Sequence, residues 1–476
     1  MASAESPANP ATGATNRDEP QGHRRSGLTF EGVRRNLAGH ALAWPWFDGL
    51  SAWILRRLYF PASRLWASAQ IADGSLERFW QTVPIQRRLE HGERLETVLA
   101  RCGRARVRAE AMEAEWRRIF FGPEESSTHT RSIVEAARLD SRHAYNATRR
   151  FFLFLLDREV PRVRLQTATP AEVGEIYGKA RRDLAPFVAL PDPMPAVEVS
   201  RSTPGTVGND YWLRFKSPSP RLGDMVYSRV HEPHGVSDPP TIIFGHGICV
   251  EFDHWRGLID EADTLCKAGF RVIRPEAPWH GRRTPAGFFG GERLISTYPT
   301  GLLDAMLGAL QEWAVLAAWS RRTSRGALAF GGTSLGAQMA QLTADQARTW
   351  REELRPDGLF LITHCGHMIE AAQHGEMAKI VGGAEEAERK GWTLDEIGSY
   401  AALLDPKPEP AVSPEKIVTV LGRRDTVTPF ASALSLIDGW KVPEENRFVW
   451  DRGHFSVPMT LIHNSTPILR FREVID

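Results

Sequence analysis

From about residue 210 onward, short strand-like runs alternate with stretches of helical periodicity, and this alternation constrains the fold more than any other feature of the chain. The runs are Tyr211–Phe215, Met225–His231, Thr241–Phe244, Arg271–Arg274, Ala327–Phe330, Leu359–Thr363, Ile417–Leu421 and Arg447–Trp450. Alternation of this kind predicts the α/β class with a mostly parallel sheet, because parallel neighbours need a crossover long enough to hold a helix. The third, fifth and sixth runs are almost continuously apolar, as strands covered on both faces must be, and Ser296–Arg321 and Leu335–Thr349 suit the crossovers.

Upstream the pattern differs. Helical periodicity runs through Leu95–Phe121 and Ser132–Asp157, with Glu and Arg alternating on the outer faces. Residues 28–188 are therefore expected to form a helical N-terminal extension, and residues 1–27, which lack the apolar run of a secretory signal, a disordered tail. Prolines at 191, 193, 195 and 204 mark residues 189–209 as a linker, leaving 210–476 for the α/β domain. Within the extension, Ala41–Phe60 is dense in Trp, Phe and Leu, but Asp48, Arg56 and Arg57 interrupt it and argue against a membrane span. A helix over Gly49–Phe60 would carry Trp53, Ile54 and Leu58 on one side and the arginines opposite. Packing on the α/β core is the simpler reading, and contact with a membrane surface the alternative.

Across its 476 residues the chain balances 59 Lys and Arg against 58 Asp and Glu and is 42% apolar, which excludes a disordered protein and a basic nucleic-acid binder. The balance hides a locally basic front, with 17 Arg against 10 Asp and Glu in residues 21–120. Cys102, Cys249, Cys266 and Cys365 form no close pair and no C-x-x-C, so free thiols in a reducing compartment are expected. The expected location is cytoplasmic, with peripheral contact to the inner membrane face through residues 41–60 as the further option.

The sharpest chemical signal is Gly332-Thr333-Ser334-Leu335-Gly336, set between the apolar run GALAF and the helical stretch LGAQMAQLTADQ. A serine on a tight strand-to-helix turn needs small residues two positions either side, and the turn lifts its Oγ above the sheet. The Leu335 N–H, at the helix start, is then placed for a developing oxyanion. Such a serine needs a base and a residue to orient it. Asp425 follows the run Ile417–Leu421, and His454 follows Arg447–Trp450, so both fall at the carboxyl edge of the sheet where catalytic groups collect. The run Thr241–Phe244 empties into Gly245-His246-Gly247-Ile248-Cys249, where Gly247 and the Ile248 backbone are candidates for the second oxyanion donor and His246 reads as loop-shaping. Trp255, just after Asp253 and His254, is a candidate pocket wall or core aromatic.

His246-Gly247, G-x-S-x-G around Ser334, Asp425 after a late strand and Gly453-His454 together resemble the α/β-hydrolase superfamily over residues 210–470. Pro278-Trp279-His280-Gly281-Arg282-Arg283-Thr284-Pro285 is similar to the P-aromatic-x-G-x-R-x-P stretch of the branch of α/β-hydrolase domain-containing protein eighteen and its bacterial relatives. The resemblance implies an α/β-hydrolase fold and a serine hydrolase of an ester, thioester or amide, and for the narrower branch a lipid-related acyl substrate. The loop His246-Gly247-Ile248-Cys249 differs from the HGGG of lipase-type patterns.

Two further clusters could bind a ligand. His364-Cys365-Gly366-His367 lacks a fourth ligand at characteristic spacing, so no metal site is expected. His280, Arg282 and Arg283 are candidates for holding an anionic substrate group, against the plainer reading of a solvated loop. Between the sixth and seventh strands, residues 366–412 hold helix-like segments and the capping pattern Thr393-Leu394-Asp395-Glu396, which suits a helical cap whose Met368, Ile369, Met377, Ile380, Trp392 and Tyr400 face either the cleft or the core. The expectation is a serine esterase, lipase-like and of carboxylesterase type, that needs no cofactor and acts on a small-molecule acyl ester. Ser334, His454 and Asp425 would form its catalytic triad. The alternatives are an acyltransferase using the same triad and a non-enzymatic membrane- or partner-binding module.

Overall fold

The computed structural model describes residues 42–83, 91–250 and 261–476. The expected tail at 1–27 and the candidate Trp255 lie outside the described residues. All eight strand-like runs form strands: β3 (Gly208–Lys216), β4 (Met225–Pro233), β5 (Thr241–Gly245), β6 (Arg271–Pro275), β7 (Leu328–Thr333), β8 (Gly358–Ile362), β9 (Ile417–Gly422) and β10 (Arg447–Trp450). Two short strands precede them, β1 (Glu198–Val199) and β2 (Thr203–Pro204), inside the segment read as a linker. That reading is corrected: both pair antiparallel with β3, Val199 opposite Leu213 and Thr203 opposite Asp210. Pro204 is tolerated because the pairing is at an edge, where its missing N–H breaks no central ladder.

The sheet order is β1-β3-β4-β6-β5-β7-β8-β9-β10, with β2 also on β3. Pairing is antiparallel from β1 to the β4/β6 contact and parallel from β6 to β10. Strands β5, β7, β8 and β9 are buried along their whole length, which is why their sequences are apolar without alternation. The crossover helices Thr300–Thr323 and Leu335–Ala347 pack against them. The register sets Gly245 beside Gly332, Thr333 beside Ile362 and Gly422 beside Trp450, so the loops after β5, β7, β9 and β10 leave from one edge.

Helices of the front segment build against this sheet. A helix at Trp46–Ile54 continues through a π-helical turn, Leu55–Tyr59, into Phe60–Ala72, and longer helices follow at Gly92–Phe121 and Thr128–Ala147. Their apolar side chains, among them Phe60, Trp66, Phe79 and Phe152, share one cluster with Cys249, Phe289, Ile380 and Val381 of the α/β part. A second seam sets Trp116 and Phe120 on Trp212 and Tyr227 of β3 and β4. The extension therefore completes the core of the chain.

Inside the first seam, Arg64 donates to Glu292 Oε1 at 2.5 Å and to the Gly287 carbonyl at 2.6 Å, with both charged side chains almost wholly buried. Glu292 also accepts from the N–H groups of Arg164 at 2.8 Å and Phe289 at 3.0 Å. Removing one charge from such a pair leaves the other uncompensated in a low-dielectric interior. Arg64→Ala is therefore expected to cost about 3–5 kcal/mol of stability. Urea unfolding of the variant against wild type measures it, and an unchanged midpoint would contradict the assignment of this pair.

Candidate active site

The site begins with the backbone at Ser334, whose φ of 57° and ψ of −118° lie outside the regions an ordinary residue occupies. Such a conformation costs on the order of 1–3 kcal/mol and persists only where the surroundings hold it. Here the Ser334 N–H donates to the Ile362 carbonyl at 2.9 Å and the Ser334 carbonyl accepts from Gln338 N–H at 3.1 Å. Close packing of three glycines completes the turn. A Cβ on Gly336 would stand 2.1 Å from the Gly245 carbonyl carbon, and one on Gly332 would stand 2.4 Å from the carbonyl carbon of Gly336. The G-x-S-x-G spacing thus reflects contact of the turn with the end of β5.

The turn carries Ser334 Oγ to 2.9 Å from His454 Nε2, and His454 Nδ1 lies 2.8 Å from Asp425 Oδ2. Asp425 Oδ1 accepts from the N–H groups of Val427 and Thr428, both at 2.9 Å, and Thr428 Oγ1 stands 2.9 Å from Oδ2. A carboxylate engaged only as an acceptor requires His454 Nδ1 to carry the proton, which leaves Nε2 free to accept from the serine hydroxyl. All three side chains are buried, at 6% exposure for Ser334, 7% for Asp425 and 8% for His454, so the hydrogen bonds act in a medium of low dielectric.

Beside Ser334, the turn after β5 is fixed by two histidines. His246 Nε2 accepts from Ala277 N–H at 3.1 Å, and its Nδ1 donates to the Gly247 carbonyl at 2.8 Å. His280 Nε2 accepts from Cys249 N–H at 3.0 Å, and its Nδ1 donates to the Pro278 carbonyl at 2.9 Å. Burial, and then the neighbouring His280, hold the His246 imidazole well below its ordinary pKa, so it stays neutral. Ile248 sits between these two anchors and lines both cavities that reach Ser334. Among the described residues neither the Ile248 N–H nor the Leu335 N–H meets an acceptor, and Leu335 opens its helix, where the first amides have no intrahelical partner. Gly247 lies against Ser334, its hypothetical Cβ 3.7 Å from the serine Cβ.

Two apolar cavities meet at Ser334. The smaller, about 110 Å³, is walled by Leu294, Tyr298, Leu302, Met368, Met377 and Val427 among others. The larger, about 290 Å³, runs from Ser334 and His454 past Ile248 to Phe47, Ile54 and Tyr59 of the N-terminal extension. Of the six cap residues named from sequence, Met368 and Met377 face these cavities, whereas Ile369, Ile380, Trp392 and Tyr400 are packed into the cores.

The anion-binding expectation for the loop at 280–283 is corrected. His280 is buried and shapes the turn, as above. Arg282 donates to Glu113 Oε1 at 2.7 Å and Glu276 Oε1 at 2.5 Å, with its guanidinium 4.2 Å from the Trp212 ring centre. Arg283 is paired with Asp224 and Glu312. Their charges are already neutralised, that of Arg282 by Glu276 six positions back and by the distant Glu113, that of Arg283 by Asp224 and Glu312. His280, Arg282 and Arg283 line a separate cavity of about 530 Å³ that carries several charged side chains, and Ser334 does not line it. The four cysteines are buried free thiols. His364 bonds Thr419 Oγ1 at 2.8 Å, Gln338 donates to Cys365 Sγ at 3.0 Å, and His367 bonds Asp405 at 3.1 Å. Among the described residues no group of three potential metal ligands converges.

One residue of the site escaped the sequence reading. Asp48 accepts from Phe455 N–H at 2.6 Å and Ser456 N–H at 3.2 Å, and Ser456 Oγ donates to it at 2.5 Å. It thereby closes the start of the Ser456–His463 helix directly after His454, more than four hundred positions along the chain. Gly453 leaves the room for it, since a Cβ there would stand 2.4 Å from the Asp48 carboxyl carbon. A lone carboxylate inside the apolar run AWPWFDGL was the available signal. Asp48→Ala is expected to slow the reaction of Ser334 with a fluorophosphonate about ten- to a hundredfold by letting His454 shift. Asp48→Asn, which keeps an acceptor, should recover part of the rate, and equal rates in all three proteins would exclude a positioning role.

No family model and no curated protein matches the sequence. Among solved structures, the chain is similar to acetyl xylan esterase 1 from Thermoanaerobacterium sp., at 14% identity and a TM-score of 0.41 over 63% of this chain and 96% of that one. It is similar also to an S-formylglutathione hydrolase from Agrobacterium tumefaciens, at 13% identity and a TM-score of 0.39 over 58% and 99%. A third is an esterase from Pyrobaculum calidifontis, at 14% and 0.37 over 65% and 92%. The sheet order, the strained serine turn after β7, and the order Ser334, Asp425, His454 along its carboxyl edge give this chain an α/β-hydrolase fold.

Proposed function

We propose that the protein is a serine hydrolase that cleaves a carboxylic ester of an apolar acyl group through an acyl-Ser334 intermediate. The observation that carries this reading is the unbroken hydrogen-bonded line from Ser334 through His454 to Asp425, opening on two apolar cavities. In the first half-reaction Ser334 Oγ attacks the ester carbonyl carbon while His454 Nε2 takes its proton. Asp425 holds the ring and stabilises the imidazolium, and the amides of Leu335 and Ile248 receive the negative oxygen. Collapse of the tetrahedral intermediate breaks the bond to the alcohol, which leaves with the proton from His454. Water then repeats the sequence on the acyl-serine, releasing the acid and restoring Ser334.

An apolar acyl group is favoured because no charged side chain lines the smaller cavity, so a charged substituent would lose its hydration there without compensation. The larger cavity leaves space for the second half of the ester beside His454, where the leaving alcohol must be protonated.

Ser334→Ala and His454→Ala are each expected to lower kcat by on the order of 10⁴- to 10⁶-fold. Fluorophosphonate labelling with peptide mapping should place the adduct on Ser334 in wild type and find none in Ser334→Ala. Hydrolysis of p-nitrophenyl esters of graded chain length should release free acid in plain buffer. Turnover that requires an added alcohol or amine acceptor would assign the same site to acyl transfer. A folded wild-type protein that takes no label would refute the reading.

A further inference from the structure

Around the turns of the Trp46–Tyr59 helical segment, Trp46, Leu50, Trp53, Ile54 and Leu58 follow the i, i+4, i+7, i+8, i+12 spacing of a single face, and all are exposed. Trp46 and Trp53 keep 53% and 54% of their surface in solvent, and Trp44 at the helix start 58%, values far above those of core tryptophans. Soluble chains seldom leave so much large apolar side chain together. The opposite side of the same segment is committed inward: Asp48 holds the His454 loop, and Phe47, Leu55 and Tyr59 wall the cavity that leads to Ser334.

The charges beside this face have one sign. Arg57 is exposed, and among the described residues neither it, Arg56 nor Arg162 is paired with a carboxylate. Burial, together with the nearby charges of Arg56 and Arg57, depresses the Arg162 pKa, as expected of guanidinium groups gathered without counter-charges. Asp48, the acidic residue of this helix, spends its carboxylate on Phe455 and Ser456. Tryptophans beside unpaired arginines are the composition of a helix lying at the boundary of an anionic bilayer, where the indole rings sit at headgroup level. A two-fold contact with a second copy would bring each arginine cluster close to its own copy, which like-charge repulsion opposes.

We propose that the outer face of Trp46–Tyr59 docks on an anionic lipid surface, and that the acyl ester enters the cavity at Ile54 and Tyr59 directly from that surface. The docking stands on the helix face alone, whereas the delivery step rests on the hydrolase reading above. Ile54 carries the juxtaposition, being exposed on the face and lining the cavity that reaches Ser334.

The test is co-sedimentation of the full chain with vesicles of phosphatidylcholine, with and without phosphatidylglycerol. Wild type and Ser334→Ala should pellet alike with the anionic vesicles and weakly with the neutral ones. Arg56→Ala combined with Arg57→Ala should weaken partition into the anionic vesicles on the order of tenfold. Trp46→Ser combined with Trp53→Ser should weaken it similarly while fluorophosphonate labelling of Ser334 proceeds at the wild-type rate, which shows the fold and site intact. For delivery, the tryptophan variant should hydrolyse a soluble ester normally and a vesicle-borne ester slowly. Failure of wild type to bind anionic vesicles, or binding by both double variants as tight as that of wild type, would overturn the docking. A dimer in light scattering that the tryptophan substitutions dissolve would assign the face to a second copy and overturn it too. Absence of any serine label, with vesicle binding retained, would refute the hydrolase reading and leave the docking standing.

Discussion

Close packing of three glycines determines the backbone conformation of Ser334. Gly245 at the end of β5 and Gly332 and Gly336 around the turn after β7 pack backbone to backbone, closer than any side chain allows. That approach holds Ser334 in its strained conformation and aims Oγ along the sheet edge, within reach of His454. Leu335 and Ile248, on the neighbouring turn, line the same smaller cavity. The strain of one residue is offset by the cooperative packing of the β5, β7 and β8 centre, where every side chain is buried.

Around this centre the N-terminal extension has three separate structural roles. Through Arg64 and Glu292 and the aromatic cluster it fills a core that the α/β part alone would leave open. Through Arg282, held between Glu113 and Glu276 over Trp212, it fastens the long Gly92–Phe121 helix to the antiparallel edge of the sheet. Through Asp48 and the inward side of the first helix it supports the His454 loop and walls the larger cavity. The geometry around Ser334 and His454 and the larger cavity beside them are therefore coupled to a segment that precedes the sheet by more than a hundred residues.

Legibility in the sequence followed the range of the interactions. Strands β5, β7, β8 and β9 could be read because burial on both faces leaves an apolar run in a handful of consecutive residues. Ser334, Asp425 and His454 could be read because each sits just past a strand-like run. The strands β1 and β2 were hidden by the prolines around them, since two-residue edge pairings leave no periodic trace. Arg282 suggested an anion site because one of its two carboxylate partners, Glu113, lies 169 positions away and the pairing with the nearby Glu276 depends on how the loop folds back. Leu294, Tyr298 and Leu302 resembled any other apolar helix residues, yet they line the smaller cavity.

The amino-acid sequence alone determined the class of the fold, the mostly parallel sheet, and the order of Ser334, Asp425 and His454 along its carboxyl edge, because these depend on periodicity and on residues adjacent to strand ends. It also determined that the first helix bears tryptophans and arginines. Only the tertiary structure decided which of those side chains turn inward, that Asp48 and not a neighbour of His454 closes the histidine loop, and that two apolar cavities converge on the serine. Such features arise from contacts between segments hundreds of residues apart, and long-range packing leaves no local signature in either composition or spacing.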